Sequence, residues 1–288
     1  MKIKIPQEKI DSGDLTVLSF HPCICGDINI ICAGRDPSKK EIEIIKKVDA
    51  VVLPHIGRES IYKASIENCP NVFPNYDSLF NYPEKVNQTK LFNKLGIDHP
   101  ETYTFENYQF FLDSSNQTPF KMPFVFKHSW GGAGRNVFLI QSQAEFEKAL
   151  MQVQEYEKEA KFGFLLQKFV PCKGISLRVV LINNDIIPYW RIAKHRGFYS
   201  NVSRGADINR TYAPELVEKA KKAMLDFCKE TKINLAGFDF IFSEKQKNPK
   251  PIFLEINYFF AYKGIGGARQ YYKKLAEAIN NWLDSLIS

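Results

Sequence analysis

Two apolar runs joined by a polar stretch constrain this chain more than any other feature. Phe238-Asp239-Phe240-Ile241-Phe242 and Pro251-Ile252-Phe253-Leu254-Glu255-Ile256-Asn257 flank Ser243–Lys250. Both runs are rich in β-branched and aromatic residues, so the segment reads as a β-hairpin. Side chains alternate between faces along a strand. With the strands folded about Lys247, Asp239 and Glu255 lie nearly opposite each other, and Asn257 shares their face. Two carboxylates and an amide oxygen thus converge among Phe, Ile and Leu side chains. Such a pair is costly to keep close and poorly solvated unless a cation sits between them. Donors that are all oxygen suit a hard ion, Mg²⁺ or Mn²⁺, and Mg²⁺ held by few protein ligands commonly also holds phosphates. A plainer reading stays open, an ordinary hairpin whose acids face solvent.

The rest of the chain can support a buried site of this kind. Its 288 residues are 44% hydrophobic and 14% aromatic, the profile of a folded globular protein with room for one large domain or a few small ones. No apolar run is long enough to span a bilayer, and the stretch from Met1 to Pro6 lacks a signal-peptide core, so the expected location is cytoplasmic. Six cysteines show no framework spacing and are expected to be reduced. His21-Pro22-Cys23-Ile24-Cys25 is too sparse in ligands for a soft-metal site and reads as a loop. The net charge of +7 is spread along the chain without a basic block, so a small anionic substrate or a solvated surface explains it as well as nucleic acid does, and a nucleic-acid partner is not expected.

In chain order, Leu15–Phe20, Ile28–Cys32, Ala50–Leu53 and Asn71–Phe73 read as strands. Between them lie a helix capped by Asp36 and Pro37 that runs to about Lys47, and a second at Glu59–Asn68. This alternation predicts a small open α/β domain over residues 1–86, with no Gly-x-Gly-x-x-Gly to mark a dinucleotide site. A helix over Tyr82–Leu95, closed by Gly96, carries Lys90. The strand Phe124–Lys127 leads into Ser129–Asn136, which holds Gly131, Gly132 and Gly134, and then the strand Val137–Ile140. Glycines in such a turn let backbone N–H groups approach a phosphate, although a simple turn needs them as well. Ser142 and Glu145 open a helix to about Tyr156. The strand Phe164–Val170 follows, then a hairpin turning at Asn183-Asn184-Asp185, with Arg191 leaving its second strand. Pro214–Glu230 is an amphipathic helix, and Arg269–Leu286 a closing one with Tyr272, Leu275, Ile279, Trp282 and Leu286 on one face.

The order of these pieces resembles the ATP-grasp superfamily, most closely its RimK-type ligases and the bacterial glutathione synthetases, over roughly residues 75–267. The resemblance rests on Phe124–Lys127 with Gly131–Gly134, on Arg191-Ile192-Ala193 with Asn201–Gly205, and on Gly237-Phe238-Asp239 with Leu254–Asn257. It implies an α/β (α+β) fold of two ATP-grasp lobes behind a pre-ATP-grasp domain, divided as 1–86, 87–170 and 171–288. Carried over by position, Lys90 and Lys127 hold nucleotide phosphates, and Gly131, Gly132 and Gly134 form the lid. Gln167, Lys168, Phe169 and Val170 line the adenine pocket. Arg191, Asn201 and Arg204 are the catalytic set around the γ-phosphate and acyl-phosphate oxygens. Asp239, Glu255 and Asn257 are the metal ligands, typically for two Mg²⁺ ions, with Mn²⁺ possible in their place.

Two departures stand out. Where the family places an acid near the ribose this chain has Lys173-Gly174-Ile175-Ser176, with Ser176 the expected occupant. Where RimK-type proteins continue with a small residue and Pro-Gly, Tyr258–Gly264 intervenes beside the acceptor site. The implied activity is an ATP-dependent carboxylate–amine ligase acting on ATP, a carboxylate and an amine-bearing small molecule or peptide, with homo-oligomers a possible assembly. A small-molecule kinase on the same fold, or a nucleotide-binding protein without catalysis, are the alternatives.

Overall fold

The computed structural model describes residues 3–4, 15–55, 57–114, 118–131, 136–194, 198 and 205–287. The chain begins with β1 (Ile3–Lys4), β2 (Val17–Ser19), β3 (Ile24–Cys25) and β4 (Ile28–Asn29), then α1 (Lys39–Ile45), β5 (Ala50–Val52), α2 (Glu59–Asn68) and β6 (Val72–Phe73). Strands β4, β2, β5 and β6 form, in that order, a parallel sheet. Every residue of β2 and β5 is buried, as expected for parallel strands covered on both faces. Helix α1 starts later than the Asp36-Pro37 signal suggests. Ser38 is the N-cap because Glu41, three residues on, completes a reciprocal capping box, while Asp36 accepts from Arg58 and Ser60.

After α3 (Asp77–Asn81) and α4 (Glu84–Lys94) comes a second sheet, built from β7 (Thr102–Phe105), β8 (Phe124–His128), β9 (Val137–Ile140) and β10 (Phe164–Lys168). Its order is β7-β10-β8-β9, all antiparallel. Helices α5 (Tyr108–Asp113) and α6 (Gln143–Lys158) cover one face, where Phe105, Phe111, Phe124, Phe126, Phe146 and Phe164 pack with Ile140, Val153 and Leu166 in one core. Because strand side chains alternate, Val125 and Lys127 are left to the opposite face.

The third sheet comprises β11 (Ile175–Ile182), β12 (Asp185–Ile192), β13 (Asp207–Asn209), β14 (Leu235–Ile241) and β15 (Ile252–Asn257). It is antiparallel in the order β13-β12-β11-β14-β15, with β15 at the edge. Helix α7 (Pro214–Thr231) packs Val217, Ala220, Met224 and Phe227 into the core that holds Phe238, Phe240 and Phe253. Helix α8 (Ala268–Ile287) buries Tyr271, Leu275, Ala278, Ile279 and Leu283 against Val180 and Ile182, and also against Val17, Ala50 and Val52 of the first sheet. Its buried stripe follows the four-residue step from Tyr271, so Tyr272, Trp282 and Leu286 sit half-buried at its margin rather than at its centre. By ordinary transfer values each of these large buried side chains contributes about 1.5–3 kcal/mol, which ties the first and third sheets together.

Among the described residues no helix is long and apolar enough to cross a membrane. All six cysteines are free. His21 is a turn former, its Nδ1 accepting the Cys23 and Ile24 N–H groups at 3.0 and 3.1 Å.

Candidate active site

The hairpin of β14 and β15 has the register that the spacing predicts, with Asp239 paired to Glu255 and Gly237 to Asn257. A bulge after Asp239 then shifts the pairing to Phe240 with Phe253. The Asn257 amide bridges the two carboxylates, its Nδ2 lying 3.2 Å from an oxygen of each. The three side chains expected to hold metal are therefore one contiguous group.

Asp239 is the most constrained of them. It is 2% exposed, and the register sets Arg178 of β11 directly opposite. Arg178 donates from Nε and Nη2 to the two carboxylate oxygens at 2.7 Å each, and Arg191 Nη2 stands 3.0 Å from Oδ2. Burial would raise the Asp239 carboxyl, but the two guanidinium groups outweigh it and hold the group ionised well below the usual carboxylate range. The motifs do not point to Arg178, although a charge inside the apolar run Leu177–Ile182 is a visible anomaly.

Arg191 is fixed from its other side by Ser176, whose hydroxyl accepts from Nε at 3.0 Å. Ser176 is buried, at 1% exposure. It lies under Arg191 because the two residues are cross-strand partners. Lys90 departs from expectation, since its Nζ pairs with Glu106 at 3.1 Å on the surface. The lysine that faces the carboxylates is Lys85, in the first turn of α4, with Nζ 2.7 Å from the Gly131 carbonyl. The two lysines are five residues apart, about 140° around a helix, so they cannot share a face. Periodicity could have found Lys85, which is in line with Thr89 and Phe92 of the buried stripe.

Lys85, Arg191, Asp239 and Glu255 line a solvent-open cleft between the second and third sheets, about 840 Å³ of atom-free space with the open solvent at its mouth included. Val125, Val137, Val170, Ile241 and Leu254 give it apolar walls, and Gln167, Lys168 and Phe169 lie on the strand and linker that join the sheets. Lys85, Lys127 and Arg191 line it together with Asp239 and Glu255. Lys127 is 7% exposed and has no hydrogen-bond or ion-pair partner among the described residues. Burial lowers its pKa to about 8, with Lys85 pushing the same way and Glu255 and Asp239 opposing. Burial also lowers Lys85. Gly131 begins the loop at φ +81°, and a Cβ there would lie 2.3 Å from the Asn136 amide, so the turn requires glycine. Gly132, Gly134, Asn201 and Arg204 lie outside the described residues.

The donor set fits a hard cation only in part. Asp239 Oδ2 already accepts from Arg178, Arg191 and Asn257, which leaves a lone pair on Oδ1 and the less committed Glu255 carboxylate. The Asn257 amide would have to rotate to offer Oδ1. Among the described residues no cluster of three His, Cys, Asp or Glu side chains forms. A cation here would thus take much of its coordination from outside the protein, as Mg²⁺ does from phosphates and water.

A model of the RimK-like ATP-grasp domain matches residues 83–279. The Mycoplasma genitalium protein MG012 is 28% identical over 138 residues, covering 48% of this chain and 44% of that protein, so the chain spans less than half of this relative's length. Among solved structures, the Bacillus anthracis D-alanine–D-alanine ligase superposes with a TM-score of 0.57 at 16% identity, covering 90% of this chain and 84% of its own. An ADP complex of N5-carboxyaminoimidazole ribonucleotide synthetase gives a TM-score of 0.55 at 13% identity, covering 83% of this chain and 62% of that one. At these identities the likeness to solved structures establishes the fold.

Proposed function

The chain belongs to the RimK-like ATP-grasp family, and from that footing we propose that it is an ATP-dependent carboxylate–amine ligase working through an acyl phosphate. The observation that carries the reading is the buried Lys127, without a hydrogen-bond or ion-pair partner among the described residues, set with Lys85 and Arg191 in the cleft that Asp239 and Glu255 also line. An uncompensated ammonium near paired carboxylates suits a polyphosphate bound with a divalent metal ion. The division into residues 1–86, 87–170 and 171–288 goes with this reading, with the second and third sheets as the two lobes.

In this mechanism the nucleotide lies between the lobes, its adenine against Val170, Phe169 and Ile241 and its phosphates against Lys85 and Lys127. Bound Mg²⁺ at Glu255, Asp239 and Asn257 would neutralise phosphate charge. The substrate carboxylate attacks the γ-phosphorus in line, and the bond from that phosphorus to the β-bridging oxygen breaks, giving an acyl phosphate and ADP. Arg191 is oriented by Ser176 and Asp239, and its remaining N–H groups stabilise the charge that develops on the transferring group. An amine nitrogen then attacks the acyl carbon, phosphate leaves, and the amine loses a proton. The apolar walls exclude water that would hydrolyse the intermediate.

The test is incubation with Mg-ATP and a pooled panel of carboxylates, amines and polyols, with mass spectrometry of the products. A ligase releases both ADP and phosphate and forms a product lighter by one water than its two substrates. ADP without free phosphate, with a phosphorylated polyol, would instead establish a kinase.

A further inference from the structure

Strand β15 is at the edge of its sheet, so its outer backbone groups need partners from elsewhere. Phe253 N–H donates to the Asp98 carbonyl at 2.9 Å. The buried Gln88 side chain, on α4, closes a ring with Ile256. Its Nε2 donates to the Ile256 carbonyl at 3.0 Å and its Oε1 accepts the Ile256 N–H at 2.9 Å. Just past the strand, His55 Nε2 lies 2.6 Å from the Tyr258 carbonyl. A carbonyl only accepts, so Nε2 carries the proton, and Nδ1 is left to accept the Tyr271 hydroxyl at 2.8 Å. Burial lowers the pKa of His55 below its ordinary value, which favours this neutral form.

These contacts bracket the acidic group. Ile256 separates Glu255 from Asn257, and Tyr258 follows directly. Gln88 is one helical turn from Lys85, so the residue that grips β15 rides on the element that aims a cation at it. His55 follows β5 of the first sheet, and Tyr271 belongs to α8. The carboxylate strand is therefore held by two side chains from two different parts of the molecule.

We propose that Gln88 and His55 are positioning residues that fix Glu255 and Asn257 against Lys85 and Arg191, and that His55 ties this alignment to the N-terminal α/β sheet. The proposal rests on the ligase reading only for what the alignment serves. Catalytic geometry of this kind is sensitive, a misplacement of about 1 Å costing on the order of a hundredfold in rate.

The test compares His55→Leu, His55→Gln and Gln88→Met with the wild type. The glutamine side chain of His55→Gln keeps a donor near the place of Nε2, whereas leucine does not. Hydrogen exchange is followed along the free protein. Mn²⁺ binding is measured by calorimetry with a non-hydrolysable ATP analogue, and ADP release gives kcat and KM. For His55→Leu we expect faster exchange confined to residues 255–262, and Mn²⁺ affinity weakened about tenfold or more, the size seen when outer-shell partners of metal ligands are removed. kcat should fall while KM for ATP stays within about twofold, and His55→Gln should restore most of the loss. Gln88→Met should loosen the same segment, and it serves if His55→Leu does not fold. Exchange unchanged from wild type, or raised equally across the first sheet and α8, would overturn the proposal. The same exchange pattern in a protein that forms no ligation product would uphold the clamp and refute the ligase reading.

Discussion

At the scale of single residues, Asp239 and Glu255 look equivalent in the sequence and are not equivalent in the structure. Asp239 balances two buried guanidinium groups, whereas among the described residues Glu255 has no such ion pair and accepts from Asn257. Removing one partner of a buried ionic network leaves uncompensated charge and costs about 3–5 kcal/mol. Asp239→Asn is therefore expected to lower the unfolding free energy by that order as well as abolish ADP release. Glu255→Gln keeps an acceptor for Asn257 and should abolish ADP release with stability close to wild type. Denaturant titration beside an ADP assay checks both, and equal stability of the two variants would contradict the ion network. Lys127 gives a pH signature. Its pKa falls from the ordinary 10.5 to about 8, so between those values the folded protein binds fewer protons than the unfolded chain. The cost of burying the charge is carried in full below about pH 8 and fades as pH rises toward 10.5, so this group makes stability increase with pH across that window. A bound polyphosphate favours the ammonium, so nucleotide binding near pH 8 should take up protons. Calorimetry in buffers of different ionisation enthalpy measures the uptake, which Lys127→Met should largely remove.

At the scale of elements, the sequence makes legible what local pattern determines. The β14–β15 register follows from alternation and loop length, and these alone bring Asp239, Glu255 and Asn257 together. The Asn183-Asn184 turn likewise fixes Ser176 opposite Arg191, so that pairing could have been read from the hairpin. Lys85 and Arg178 escape a reading of the sequence for a different reason. Their roles depend on packing between elements distant in the chain, and only helix phase or an isolated charge in an apolar strand hints at them. The stretch after Asn257 is visible as a departure but not as a packing device. Tyr189 lies flat against Gly264, where a Cβ would come within 2.0 Å of its ring. Overpacking of this kind costs about 1–3 kcal/mol, so Gly264→Ala should lower the unfolding free energy by that order. Tyr189 also lies beside Arg178, so the substitution should reduce turnover as well. Wild-type stability and turnover in this variant would show that the loop yields freely.

At the scale of the whole molecule, the second and third sheets build the cleft, and the first reaches the strand that carries its acidic group. The second sheet supplies Lys127, the third supplies Arg191 and the acidic group, and the first reaches the acidic strand through His55. The long α8 joins the first and third sheets through a shared apolar core. Such an arrangement suits a reaction in which phosphoryl transfer and acyl capture need one alignment in succession. Oxygen transfer from the carboxylate is the direct signature of an acyl phosphate. A carboxylate found active in the product screen is labelled with heavy oxygen in both positions and turned over with Mg-ATP and its amine. Reaction through an acyl phosphate predicts that each phosphate released carries one heavy oxygen from that carboxylate, with the other retained in the amide. Unlabelled phosphate, released by attack of water on ATP, would contradict it.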